Sequence, residues 1–209
     1  MEYIIILPVL LMSVVIHEVS HGLAALWLGD PTAKYMGRLT LNPVKHIDPF
    51  GSILLPLILV ITQSPFFIAW AKPVPYNPYN LRDQKYGPAA VGAAGPLSNI
   101  AIAFVFGFAL KVLLILGNVS PEAGNFVFAA FYYIILINLM LAFFNLIPFP
   151  PLDGSKLLFA LFPIREETKI YLEQYGFILL IPFIIFFSTP IGMLIHSIQA
   201  AFFKVVVGI

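Results

Sequence analysis

Long apolar runs separated by short, turn-rich polar segments dominate this chain. Four runs are long enough to cross a bilayer, which takes about 20 apolar residues: residues 3–28, 87–116, 125–147 and 176 to about 203. A fifth run, 51–71, is interrupted by Pro56 and by Thr62-Gln63-Ser64-Pro65 near its middle. The polar segments are 29–50, 72–86, 117–124 and 148–175. This pattern predicts an all-α polytopic membrane protein with four to five transmembrane helices and a re-entrant segment at 51–71. Residues 34–41 alternate loosely, as a short strand does. Pro73-Val-Pro-Tyr-Asn-Pro-Tyr79 cannot be helical and should be extended. The expected organisation is one integral-membrane domain over 1–209, with a core at 3–154 and a C-terminal helical region at 155–209.

Composition agrees. Hydrophobic residues make up 60% of the chain and charged residues 10%, against about 25% charged in a soluble domain. A net charge of +1 gives no case for nucleic acid as a partner. Without cysteine, any metal site must use His, Asp or Glu. The N-terminal run has no basic flank and exceeds the usual signal-peptide core of about 7–15 residues, so it is read as a retained helix.

Charge placement orients the chain. Nine of 11 basic residues fall in 29–50, 72–86 and 148–175, and 117–124 has none. By the positive-inside rule the first three are cytoplasmic and the last external. Hydropathy alone would count five spans and put 29–50 and 72–86 on opposite sides. The even split of three basic residues each puts them on one side, which makes 51–71 dip in and return.

His17-Glu18-Val19-Ser20-His21 lies inside the first apolar run. Imidazoles at i and i+4 share one helix face and can grip one metal ion, and Glu18 is placed to act as general base. Ionisable groups at membrane depth cost a few kcal/mol and mark function. A third protein ligand is still needed, and His46, Asp48, Asp153 and His196 are candidates. Asp153 stands out because Asn145-Leu-Ile-Pro148-Phe-Pro150-Pro151-Leu-Asp153-Gly154 breaks the chain directly after an apolar helix. Broken backbone at membrane depth belongs where protein buries it or a wet cavity lies beside it. The alternative for Asp153 is a cap on the helix that follows. His46 and Asp48 read equally as a turn capping the next segment.

The chain resembles the site-2 proteases, the intramembrane zinc metalloprotease family, in a compact form without PDZ or CBS domains. His17-Glu18-x-x-His21 matches the family's first motif and Asn145-x-x-Pro148-x-Pro150-x-x-Asp153-Gly154 its distal one. Gly95-Pro-Leu-Ser-Asn99 resembles the intervening Gly-x-x-x-Asn signature. The resemblance implies Zn²⁺ held by His17, His21 and Asp153, Glu18 as catalytic base, and Asn99 or Asn145 on substrate backbone or oxyanion; each asparagine reads equally as a polar bond between helices. It also implies a membrane-associated sheet that takes unwound substrate as an added strand, with 34–41 and 73–79 as candidate strands. The expected partners are a transmembrane protein substrate and the lipid bilayer. The expected location is a prokaryotic cell (inner) membrane, with the site toward the cytoplasm. The competing reading is a non-enzymatic zinc carrier using the same ligands. A carrier needs ionisable groups spread along a path, whereas the apolar spans hold one acid, Glu18.

Overall fold

The computed structural model describes residues 2–63, 70–117, 119–121 and 125–209. Its helices are α1 (Glu2–Trp27), a short α2 (Thr32–Tyr35), α3 (Leu55–Ile61), α4 (Gly87–Ile115), α5 (Phe126–Asn145), α6 (Gly154–Leu161) and α7 (Glu166–Phe202). Four of these, α1, α4, α5 and α7, are long and apolar enough to cross a membrane, and the protein is an integral membrane protein. The bundle is apolar outside and partly polar inside. Leu97, Phe104, Val105 and Phe186 face outward, whereas Ser13, His17, His21, Asn99, Asn138 and Asp153 are buried. Contiguous exposed apolar surface on this scale suits lipid and not water.

α1, α4 and α5 pack against one another, and α6 closes on α4. Ala103 and Leu110 of α4, Ile135 and Leu139 of α5, and Phe202, Phe203 and Val207 at the end of α7 form the main apolar core. Small residues at the start of α4 serve close approach. A Cβ on Gly92 would meet Lys156 Cδ at 3.0 Å and the Asp153 carbonyl at 3.1 Å, so this turn of α4 takes α6 directly against its backbone.

Hydrogen bonds stitch 28–50 to 72–86 at one end of the bundle. The Arg82 N–H donates to the Leu28 carbonyl (2.9 Å) and the Lys72 N–H to that of His46 (2.8 Å). Arg38 donates to the carbonyls of Lys72 (2.8 Å) and Pro73 (3.4 Å). Asp30 accepts from the Asn77 N–H (2.6 Å), the Asn80 amide (2.9 Å) and the Thr32 N–H (3.1 Å). Burial pushes the Asp30 carboxyl up, but hydrogen bonds from Thr32, Asn80 and Asn77 outweigh it and hold the group below the usual carboxylate range.

Between these loops the chain leaves and returns. Asp48 accepts from the N–H groups of Phe50 (3.1 Å) and Gly51 (2.7 Å) and starts a wide helical turn, Pro49–Leu54, that runs into α3. A turn follows at Thr62–Gln63, with Gln63 at φ 51°. The Trp70 N–H donates to the Gly51 carbonyl (3.2 Å), and the Ser52 hydroxyl to that of Trp70 (2.7 Å). The ends of 51–71 therefore meet. Ser64 and Pro65, the rest of the expected turn, lie outside the described residues.

Two expectations change. No described residue forms a strand. Residues 34–41 open inside α2, where Asp30 holds the Thr32 N–H and starts a helical turn. Residues 73–79 form no ladder: Pro73, Pro75 and Pro78 have no N–H to give, that of Val74 goes to Glu18, and a short helical turn begins at Pro78. The second change is at α7, which begins at Glu166 and not near 176. Residues 166–175 are charged but helical, with Glu166 and Glu167 in the first turn and Lys169 paired to Glu166. Hydropathy reads the apolar part of a helix and misses a polar extension of it.

Candidate active site

α1 carries His17 and His21 on one face, α4 lies against that face, and the break after α5 brings Asp153 to it. Asp153 Oδ2 stands 3.1 Å from His17 Nε2 and 3.2 Å from His21 Nε2. Gly154 makes the tight return possible, since a Cβ there would fall 2.2 Å from the Leu146 carbonyl oxygen. No side-chain cap from Asp153 to α6 forms; the carboxylate turns to the imidazoles instead. Gly95 is the corresponding gap on α4. A Cβ there would lie 2.4 Å from His21 Nε2 and 2.5 Å from His17 Nε2.

The surrounding hydrogen bonds assign the imidazole tautomers. Asn138 donates to the Ile134 carbonyl (2.8 Å) and the Ser13 hydroxyl (2.9 Å), which leaves its oxygen to accept from Asn99 (2.7 Å). The Asn99 amide nitrogen, which also donates to the Ser13 carbonyl at 3.4 Å, is thereby fixed, so its oxygen faces His17 and accepts from His17 Nδ1–H at 2.5 Å. His21 Nδ1–H donates to the Val91 carbonyl at 2.7 Å. Both Nε2 atoms are left as bare acceptors facing the Asp153 carboxylate. Three acceptors converging in a buried space repel one another unless a cation lies among them. Such an arrangement could hold a metal ion, with the Nδ1–H bonds orienting the rings. Among the described residues, His17, His21 and Asp153 are also the one group of three such side chains close enough to hold an ion.

A cavity of about 180 Å³ opens onto this triangle, lined by Glu18, Val74, Tyr76, Asn145 and Lys156 among others. Glu18 Oε2 accepts the Val74 N–H at 2.8 Å.

The six sequence-predicted residues divide. His17, Glu18, His21, Asp153 and Asn145 all border the cavity. Asn99, expected to meet substrate, is fully buried behind His17 with its amide committed to Asn138. It orients an imidazole from the far side of the site. Gly95 and Asn99 are one helical turn apart on one face of α4, so the glycine admits the two rings and the asparagine holds one. His46 and Asp48 stand apart: His46 donates to the Thr40 carbonyl (2.8 Å), and Asp48 caps its turn. Asn138 and Lys156 escaped the sequence reading. A lone asparagine within an apolar helix was the available signal for the first; Lys156 had none, as one lysine beside a turn.

A buried pair of histidines and a carboxylate inside a membrane bundle, with a glutamate beside them, is the architecture of a membrane-embedded metallohydrolase. Known proteins agree. Residues 112–189 match the profile of peptidase family M50. The chain is 40% identical over 194 residues to "Putative zinc metalloprotease YwhC" of Bacillus subtilis, covering 92% of this chain and 83% of that one. It is 28% identical over 188 residues to the similarly named Rip2 of Mycolicibacterium smegmatis, with 88% and 67% covered. It is 38% identical over 109 residues to MJ0611 of Methanocaldococcus jannaschii, about half of each chain. No solved structure matches. The chain belongs to the M50 peptidases, the site-2 protease family.

Proposed function

We propose that this protein is an intramembrane zinc endopeptidase, a single membrane-embedded domain that hydrolyses peptide bonds within or near transmembrane segments of other membrane proteins. The observation that carries this reading is the joining of the His17–His21–Asp153 triangle and Glu18 in one cavity at membrane depth. His21 and His17 lie six and ten residues before the end of α1, about 9 and 15 Å at 1.5 Å per residue. Zinc is the metal, held by His17 Nε2, His21 Nε2 and an Asp153 oxygen; when bound it supplies a Lewis acid that acidifies water and polarises a carbonyl.

Glu18 takes the proton from the attacking water and passes it to the leaving nitrogen. The Val74 N–H fixes one oxygen of that carboxylate and leaves the other for the proton. Asn99 keeps His17 in the tautomer that presents Nε2. Asn145 lines the cavity from α5, where it meets substrate backbone. The activity is tested with the protein reconstituted in liposomes beside a single-span membrane peptide. Cleavage should stop on removal of zinc by a chelator and return when zinc is added. Undiminished cleavage by metal-free protein would refute the reading.

The site faces the cytoplasmic side of a cell membrane, and 51–71 is a hairpin that re-enters. Support comes from the nine basic residues of 29–50, 72–86 and 148–175, from the bonds joining the first two of these loops, and from the meeting of Gly51 with Trp70. The chain has no cysteine, so Lys34→Cys and Arg82→Cys can each be labelled alone with an impermeant thiol reagent. Both should label from the cytoplasmic side; labelling from opposite sides would make 51–71 a true span.

A further inference from the structure

The chemistry above leaves Lys156 unused, although it lines the catalytic cavity. Its Nζ stands 3.4 Å from Asp153 Oδ1, the oxygen that does not face the imidazoles. The stem is pinned against α4, with Cδ 3.0 Å from where a Gly92 Cβ would be. The ammonium lies over the Tyr76 ring, 5.6 Å from its centroid. Its side chain is 21% exposed, so the charge is shielded but open to the cavity. An ammonium has three N–H donors, and Asp153 engages one of them. Among the described residues that border the cavity, Lys156 is the one lysine or arginine.

We propose that Lys156 is a catalytic residue of this protease, donating a hydrogen bond from Nζ to the carbonyl oxygen of the scissile peptide. As the water oxygen bonds to the carbonyl carbon, the π pair moves onto that oxygen. Lys156 keeps its proton and stabilises the negative charge there. The pair returns as the C–N bond breaks, and the nitrogen takes the proton that Glu18 removed from the water. A fixed cation in a shielded cavity is worth far more to such a charge than it is in water. This role rests on the protease reading of the cavity.

The alternative is that Lys156 only steadies Asp153, and the two roles differ in what they do to zinc. The test uses full-length protein in liposomes, a single-span membrane peptide as substrate, kcat and KM for K156M, K156R and E18Q, and the zinc content of each. Loss of one oxyanion donor typically costs about 10²–10³-fold in kcat, so K156M should fall by that much with KM and zinc content at wild-type levels, and K156R should recover much of the loss. Wild-type kcat in K156M, or zinc lost in step with activity, overturns the proposal. So does a K156R as slow as K156M. A wild-type protein that leaves the peptide intact, or an E18Q that cuts it normally, refutes the protease reading itself and the role of Lys156 with it.

Discussion

Glu18→Gln should retain zinc and lose proteolysis by about 10²–10⁴-fold, the usual cost of removing a general base, or about 3–5 kcal/mol of barrier. The substitution is nearly isosteric. Its amide oxygen still accepts the Val74 N–H that Glu18 Oε2 holds at 2.8 Å, so the strap at 73–75 keeps its place. His17, His21 and Asp153 are untouched, and so are the bonds to Asn99 and Val91 that orient the two rings. Only the capacity to carry a proton goes. Cleavage rate and zinc content measured on one preparation check this, and near-normal cleavage by the variant removes Glu18 from the role of base.

Asp153→Ala should cost more, because it removes a ligand. Supporting residues around metal ligands typically cost 10–100-fold in metal affinity, so loss of the carboxylate itself should exceed about 100-fold. It also leaves the Lys156 ammonium without its carboxylate partner. His46→Ala and Asp48→Ala should keep full zinc content, since these side chains bond to Thr40 and to the Asp48 turn. Metal analysis of the three purified variants decides the matter; normal zinc in Asp153→Ala with loss in His46→Ala would move the ligand to the loop.

The membrane helices were legible in the sequence because a spanning helix must be apolar along about 20 residues. The pairing of His17 with His21 was legible because both side chains sit on one helix, four residues apart. Asp153 comes from 132 residues further on, and the residues alone left it open between ligand and cap. Family likeness favoured the ligand, and the carboxylate stands close to both imidazoles. Asn99 stayed open between substrate contact and interhelical bonding, for a physical reason. Sequence places it on the face of α4 that carries Gly95 but cannot say whether a side chain there reaches the cavity or the back of His17. Asn138 supplied the missing fact by occupying the amide. Lys156 was illegible for the same reason: its neighbours Gly92 and Tyr76 lie on other segments. The proposal that 29–50 and 72–86 share a side began from charge, as hydropathy alone would have drawn a fifth span.

The most direct test of intramembrane proteolysis is quantitative membrane proteomics on cells making the wild-type protein or Glu18→Gln. Fragments whose new termini fall within or beside apolar spans of about 20 residues should be present with the wild type and absent with the variant. Identical fragment populations in the two, or dependent cuts confined to soluble loops far from any span, would contradict it.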